Sequence, residues 1–268
     1  MCGIITTNGT FSFDKVIVCT GGKSYPSTGS DGDGYVFAER AGHTVIKPVP
    51  SLCGVNLNGG YFRAMQGLSL KNVGLKVYSG GKLLKDLFGE MQFTHFGASG
   101  PLILTASALI NRLSPDGVKL VLDFKPALSR EQLETRILRD FEADKNKDIS
   151  NCLKSLLPSS AVEPMLERCG ILPDKKVNSI TRAERASLLT NIKNFDMLYL
   201  SLRGFEEAVV TSGGVSLKEV NPKTMESKIV KGLYFCGEVL DCDAFTGGFN
   251  LQIAFSTGYV AGRAAAQG

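Results

Sequence analysis

Histidine is scarce in this sequence, which contains two, and none of its seven cysteines forms a C-x-x-C pair. Zinc and haem sites need ligands clustered at characteristic spacings, so we expect no metal site. An odd number of scattered cysteines cannot pair completely within one chain, and we interpret these residues as reduced thiols.

Long apolar runs and an excess of one charge are also missing. The longest apolar stretches, such as Pro101–Ile110, are far shorter than the roughly 20 residues of a transmembrane helix. The first residues lack the pattern of a secretory signal, so we expect a cytoplasmic protein. The 30 basic and 26 acidic residues give a net charge of +4 without a basic stripe. This balance favours anionic ligands mildly and does not predict a nucleic-acid partner.

Both ends of the chain alternate between short apolar strands, glycine turns and helices. Residues 13–20 form a short apolar run typical of a buried strand, and Gly34–Gly42 has the apolar spacing of a short helix. The last sixty residues return to this style and end in a small-residue helix over 250–266. The pattern predicts an α/β domain, partial and Rossmann-like, made from residues 1–50 and 204–268.

The middle of the chain, residues 51–203, has a different secondary-structure pattern from the two ends. Residues 51–125 are rich in strands, including one predicted over Leu52–Leu57 and a hairpin turning at Gly80-Gly81. Residues 126–203 are helical. We interpret the middle as an inserted domain, part β-barrel-like and part helical.

Two helices of the middle begin with a recognisable sequence signal. Ser129 is followed three residues later by Gln132, and Thr181 by Glu184. In this capping-box pattern the two side chains satisfy backbone N–H groups reciprocally, so a helix is predicted to begin after each hydroxyl residue.

Three predicted strands end in glycine. The first is followed by Thr20-Gly21-Gly22. The second, Ala208–Thr211, is followed by Ser212-Gly213-Gly214, and the third, Gly232–Cys236, by Gly237-Glu238. Ligands of open α/β sheets bind beyond the carboxyl ends of strands, where glycine lets the backbone approach closely. Three such ends, one followed by an acid, indicate a binding site.

The segment Gly232–Gly262, with Gly237-Glu238 and then Phe245-Thr-Gly-Gly-Phe-Asn-Leu-Gln252, resembles the closing FAD motif of glutathione-reductase-like flavoproteins. Among these it is most similar to the bacterial FAD-dependent oxidoreductase family that includes aminoacetone oxidase and a bile-acid reductase. Val16–Gly34, Phe93–Pro101 and Thr211–Glu226 are similar to the same family, so the resemblance covers nearly the whole chain.

This resemblance implies how the cofactor would be held. Glu238 would accept hydrogen bonds from the ribityl chain of FAD, and the helix that begins after Gly247-Gly248 would direct its positive end at the flavin. Thr20-Gly21-Gly22 resembles a second FAD motif. The implied cofactor-binding residues are Thr20, Gly21, Gly22, Gly237, Glu238, Gly247, Gly248, Asn250, Leu251 and Gln252.

One departure from the family concerns its opening strand, G-x-G-x-x-G turn and helix, which bind the ADP half of FAD. This sequence shows no such motif, so on the resemblance about a hundred residues are absent. We expect this chain alone to be inactive and FAD to belong to the full-length protein.

The resemblance predicts an FAD-dependent oxidoreductase that passes electrons between a small organic substrate and either O2 or NAD(P)H. An alternative is a catalytically silent fragment that acts as a binding or structural module. A third reading is a flavoprotein that modifies RNA, which neither clustered basic residues nor interleaved aromatics support. The catalytic acid or base and the oligomeric state are unknown from the sequence.

Overall fold

A computed structural model describes residues 2–267 and has the mixed α/β composition that the sequence predicts. The chain divides into two compact units. The first comprises Met1–Cys53 and Leu202–Gly268, and the second comprises Gly54–Ser201.

The N-terminal part of the first unit contains four strands and one helix. They are β1 (Cys2–Thr6), β2 (Gly9–Phe13), β3 (Val16–Val18), α1 (Asp33–Arg40) and β4 (Val45–Ser51). Strands β1 and β2 form an antiparallel hairpin. Helix α1 lies between Gly32 and Gly42, both with positive φ, because glycine adopts the backbone conformation that starts and stops a helix abruptly here.

The second unit is built around one seven-stranded sheet. The strands are β5 (Val55–Leu57), β6 (Ser69–Ser79), β7 (Lys82–Phe93), β8 (Gly97–Ser99), β9 (Val118–Asp123), β10 (Phe195–Asp196) and β11 (Tyr199–Leu202). Their order across the sheet is β10-β9-β6-β7-β8-β5-β11. The predicted hairpin is confirmed: β6 and β7 pair antiparallel around Gly80 and Gly81, which have φ of 54° and 78°. Positive φ at both central residues matches the twist of the flanking strands.

The predicted strand Leu52–Leu57 is wrong in its first half. Strand β4 ends at Ser51, Leu52 has a φ of 54°, and β5 begins only at Val55. An apolar run is therefore interrupted by a left-handed residue, which a hydrophobic pattern does not reveal.

Six α-helices accompany the sheet among the described residues of the second unit. They are α2 (Tyr61–Ala64), α3 (Pro101–Ile110), α4 (Arg130–Ala143), α5 (Ile149–Leu153), α6 (Ser159–Cys169) and α7 (Arg182–Lys193). Both predicted capping boxes are confirmed. Ser129 and Gln132 begin α4, and Thr181 and Glu184 begin α7, with reciprocal side-chain to backbone hydrogen bonds in each pair.

The C-terminal part of the first unit contains β12 (Val210–Val215), β13 (Leu233–Phe235) and α8 (Phe249–Gln267). Strand β13 pairs parallel with β3, and β12 pairs antiparallel with β4. The predicted strand Ala208–Thr211 is thus displaced, because β12 runs through Ser212-Gly213-Gly214 instead of ending before them. The ladder with β4 shifts between Ser212 and Gly214, so the glycines form an irregularity inside the strand.

Candidate functional site

Strands β3 and β13 lie side by side and end at the same edge. Val18 is opposite Phe235 in the parallel register, and the N–H of Cys236 donates to the Val18 carbonyl at 3.1 Å. The two predicted segments that follow, Thr20-Gly21-Gly22 and Gly237-Glu238, therefore leave the sheet from adjacent positions. This edge is where open α/β sheets bind ligands.

Gly22 lies directly against Glu238 and Thr211. A Cβ on Gly22 would come within 2.5 Å of Thr211 Oγ1 and 2.7 Å of Glu238 Oε1, closer than real Cβ atoms approach other groups. The structure therefore brings together two of the predicted site segments, and glycine is needed at this contact because any side chain would displace the Glu238 carboxylate.

Thr211 joins the two segments, and the sequence interpretation did not include it in the site. Its backbone N–H donates to Glu238 Oε1 at 2.7 Å, while its hydroxyl accepts the N–H groups of Lys23 at 2.8 Å and Ser24 at 3.1 Å. The Ser24 hydroxyl lies 3.0 Å from the same oxygen. The available signal is the neighbouring Ser212-Gly213-Gly214. The sequence predicts that these residues follow the strand, whereas they and Thr211 all lie within β12.

The Glu238 carboxylate is half-buried, and its electrostatic state follows from that position. Burial raises the pKa of Glu238, the hydrogen bonds from Thr211 lower it, and the nearby charge of Asp243 raises it further. The net pKa shift is upward, so the ionised carboxylate is short of solvation in this chain. A ligand that donates hydrogen bonds to it would supply what burial removes.

Tyr35 of α1 is buried beside this carboxylate. Burial and the charge of Glu238 raise the pKa of its phenol above the usual range, while an interaction with Thr211 opposes that pKa shift. The hydroxyl oxygen is inaccessible to solvent and makes no hydrogen bond of ordinary geometry. A polar atom in this state can take a partner from a bound molecule.

Helix α8 begins immediately after Gly247 and Gly248, whose φ values are 114° and 87°. A Cβ on Gly248 would meet no atom within 4 Å, so the space before the helix is open. In the first turn, Leu251 is 63% exposed. The helix therefore presents an accessible positive end.

The side chains of Asn250 and Gln252 are engaged within the chain. Asn250 accepts the Ala244 N–H and donates to the Ala244 carbonyl, both at 2.8 Å, and Gln252 donates to the Ser256 hydroxyl at 2.8 Å. Asn250 thus fixes the loop before α8, a role that sequence reasoning did not assign. Contact between α8 and Gly237 comes from further along the helix, where Thr257 Oγ1 accepts the Gly237 N–H at 2.9 Å.

A separate cleft of about 580 Å³ runs beside β3 and β13. Its walls are mainly apolar, with contributions from Ile4, Ile17 and Phe37, and Arg40 supplies a positive charge. Among the predicted site residues, Thr20 reaches this cleft. The cleft is large enough for a small molecule, but the polar groups around Glu238 lie outside its lining.

A serine, a histidine and a glutamate form a line elsewhere in the first unit. His43 Nε2 lies 2.8 Å from the Ser227 hydroxyl, and His43 Nδ1 lies 3.3 Å from Glu219. Ser227 also accepts the N–H groups of Ile229 and Val230 at 3.0 and 2.8 Å, and both Ser227 and His43 are buried. A hydroxyl with its acceptor positions filled and no access to substrate is not an activated nucleophile, so this line is structural.

Metal ligands do not gather in the part of the chain that the structure describes: residues 2–267 contain no group of three His, Cys, Asp or Glu suited to hold an ion. Within the same residues, no helix has both the length and the apolar character needed to cross a membrane.

Residues 2–264 match the family described as HI0933-like protein Rossmann domain. The chain belongs to the HI0933-like family. Membership confirms the Rossmann-like α/β class that the sequence predicts, and in an HI0933-like chain the strand ends that meet around Glu238 belong to that Rossmann-type domain.

Several curated proteins are similar to this HI0933-like chain. A 3-dehydro-bile acid delta(4,6)-reductase from Clostridium scindens is 32% identical over 259 residues, which are 96% of this chain. Ribosomal RNA dihydrouridine synthases from Haemophilus influenzae and Escherichia coli are 34% and 29% identical over 91% and 93% of this chain. The chain spans 63%, 58% and 60% of the length of these three relatives.

Proposed function

We propose that this protein is an FAD-dependent oxidoreductase that acts on a small organic substrate. The observation that supports this proposal most directly is the half-buried Glu238 carboxylate, held by Thr211 against the glycine turn at Gly22. A desolvated carboxylate beside a glycine turn suits a neutral ligand rich in hydroxyl groups, which is the character of the ribityl chain of FAD.

We assign the cofactor contacts to two groups of residues. The residues proposed to hold the ribityl part are Thr20, Gly21, Gly22, Gly237 and Glu238. The residues proposed to lie beside the flavin ring are Gly247, Gly248, Asn250, Leu251 and Gln252. In the second group Asn250 acts through the loop that its side chain fixes, because both of its amide atoms are bonded to Ala244.

FAD supplies two-electron transfer when bound, so the protein contributes position and electrostatics. Glu238 orients the hydroxyl chain. The open N-terminus of α8 presents backbone N–H groups and a positive helix end, which stabilise negative charge in front of them. We propose NAD(P)H as the electron donor, with O2 as the alternative redox partner.

We further propose that Gly54–Ser201 is a domain inserted into the nucleotide-binding fold. Its support is the division of the chain into two compact units, one of which is continuous in sequence while the other is made from both chain ends.

The proposal is tested by titrating FAD with the purified chain and following the quenching of flavin fluorescence. We expect weak but saturable quenching, because this chain carries the residues proposed to hold the ribityl and flavin parts of FAD. Quenching should weaken further in Glu238→Ala and Gly248→Val, because these changes remove a charged acceptor and place a branched side chain at the helix end. Absence of saturable quenching, or equal affinity in all three proteins, would overturn the proposal. Absence of quenching is also what a catalytically silent module predicts.

A second candidate function is reduction of a uridine in ribosomal RNA, which the two dihydrouridine synthases favour. The two candidates are separated in a protein that spans the whole length of these relatives. It is loaded with FAD, NADPH is added, and either an unsaturated steroid ketone or a ribosomal RNA transcript is supplied. Ketone-dependent NADPH consumption in the absence of O2 supports the small-molecule function. A mass gain of two hydrogens on uridine in the transcript supports the RNA function.

A further inference from the structure

Two cysteines follow directly after the paired strands β3 and β13. Val18 is opposite Phe235, so the next residues in the parallel register are Cys19 and Cys236. The Cys236 N–H donates to the Val18 carbonyl at 3.1 Å, which carries the pairing up to the cysteines. In-register neighbours on adjacent strands are about 4.8 Å apart and point to the same face, a separation within the range that a disulfide spans.

The two thiols differ in accessibility. Cys19 is exposed, whereas Cys236 is 5% exposed. Burial raises the pKa of Cys236 to about 11, and the interaction with its neighbour Cys19 contributes to that rise in pKa. An accessible thiol is the one that meets an oxidant first, and a buried protonated thiol is inert until its neighbour is oxidised.

The other cysteines with described side chains lack this arrangement. Cys53 and Cys152 are buried, and Cys169 and Cys242 are partly buried. Burial also raises the pKa of both Cys169 and Cys242, so neither offers an accessible thiolate.

We propose that Cys19 and Cys236 are a redox-active pair, in which peroxide oxidises Cys19 and Cys236 then closes a disulfide between the two strands. The Cys19 sulfur attacks one oxygen of hydrogen peroxide, the O–O bond breaks, and Cys19 becomes a sulfenic acid as water leaves. The Cys236 sulfur then attacks the sulfenic sulfur, the S–O bond breaks, and a second water carries away the thiol proton. Two thiols and one peroxide thus give one disulfide and two waters.

The disulfide would link the chain just after β3 to the chain just after β13, directly before the turns at Gly21 and Gly237.

The experiment treats the chain with one equivalent of hydrogen peroxide, blocks free thiols with N-ethylmaleimide, and digests it without reductant. Trypsin releases Val16–Lys23, and Glu-C cleavage after Glu238 separates Cys236 from Cys242. We expect a linked pair of peptides, Val16–Lys23 with Gly232–Glu238, in the parent and in Cys242→Ser. The linked pair should be absent from Cys19→Ser.

Cys236→Ser and Cys236→Ala provide the second arm, with two variants because the site is buried. In both, oxidation should stop at the sulfenic acid, which dimedone labels at Cys19. Labelling of Cys19 should be at least about tenfold faster than labelling of Cys169, because accessibility controls thiol oxidation. Oxidation of Cys19 at the same rate as Cys169, a Cys19–Cys242 link, or a Cys19–Cys19 link between molecules as the main product would each overturn the proposal.

Discussion

The Glu238 carboxylate accepts the backbone N–H of Thr211 at 2.7 Å, and this hydrogen bond connects the turn that follows β13 with the beginning of β12. Because burial raises the pKa of Glu238, the contact holds an under-solvated acid in place instead of relaxing it into water. We therefore expect that removing the charge of Glu238 weakens FAD binding and raises the free energy of unfolding.

Glu238→Gln keeps an oxygen that can accept the Thr211 N–H but removes the charge. The folded pKa of Glu238 is raised above its unfolded value of about 4.3, so between these pKa values the folded state binds more protons and stability falls as pH rises. We expect the variant to lose this slope, to be more stable than the parent near pH 8, and to bind FAD about 10- to 100-fold more weakly, or about 1.5–3 kcal/mol. Urea unfolding and the FAD titration measure the two effects, and a variant that is less stable near pH 8 would contradict the assignment.

Gly22→Ala tests the close contact between the glycine turn and Glu238. The added Cβ meets Thr211 and Glu238 below 3.0 Å, so the turn or the carboxylate must move, and we expect FAD affinity to fall about tenfold or more with a stability loss of about 1–3 kcal/mol. Gly258→Ala in α8 is the matched control, because its Cβ meets no atom within 4 Å. The control should be neutral or stabilised by about 0.5–1 kcal/mol, and equal losses in both variants would refute the contact.

The buried His43 should make the free energy of unfolding sensitive to acid. Burial lowers its pKa, while the Glu219 carboxylate at its Nδ1 raises the pKa, and Ser227 faces its Nε2. Since the unfolded pKa is about 6.5 and the folded pKa lies below it, the unfolded state binds more protons in this window. Stability should therefore be complete above about pH 6.5 and be lost as pH falls toward the folded pKa.

His43→Gln should remove this pH dependence and cost about 1–3 kcal/mol at neutral pH, because it breaks the buried hydrogen bond to Ser227. The chain offers one matched control, His95→Gln, at an exposed histidine. Unfolding measured between about pH 5 and 8 should keep its acid slope in the control, and loss of the slope in both variants would show that His43 is not its source.

Lys193 closes a largely buried ion pair in the second unit. Its ammonium group lies 2.7 Å from Asp123 and also donates to the carbonyls of Lys125 and Leu128 at 3.0 and 2.7 Å. Lys193→Met leaves Asp123 with an uncompensated charge, and we expect a loss of about 3–5 kcal/mol in the free energy of unfolding. Lys176→Met breaks the more exposed pair with Asp148 and should cost about 1 kcal/mol or less. Similar losses would mean that burial does not separate the two pairs.

Limited proteolysis tests the proposed insertion. We expect brief digestion to cut near residues 53 and 202 and leave a resistant fragment of about Gly54–Ser201, because its strands and helices are contained in one continuous stretch. Initial cuts within β6 or β7, with the two junctions protected, would contradict an independently packed inserted domain.

Local signals predicted the structure best where they act within a few residues. The capping boxes at Ser129 and Thr181 require partners three residues away, and both formed as expected. The hairpin at Gly80-Gly81 is equally local, since φ at those two positions sets how the strands turn. Family resemblance supplied the Rossmann-like class, which the match over residues 2–264 confirmed.

Contacts between distant segments were not predictable in the same way. The role of Thr211 could not be predicted, because it depends on hydrogen bonds with Glu238, Lys23 and Ser24, and no local sequence pattern connects these residues to it. The strand boundary at Leu52 could not be predicted either, because a single residue in the left-handed conformation interrupts an apolar run. The proposed cofactor contacts of Gly247, Gly248 and Leu251 stay predictions.

Because Tyr35 is buried beside Glu238, its fluorescence can report whether a flavin occupies the site. The chain contains no tryptophan, so its ultraviolet emission comes from seven tyrosines. Flavins absorb in the range where tyrosine emits, so a flavin seated near Glu238 would draw energy from Tyr35 in particular. The difference in emission between the parent and Tyr35→Phe would then report site occupancy directly, without turnover and without an attached dye.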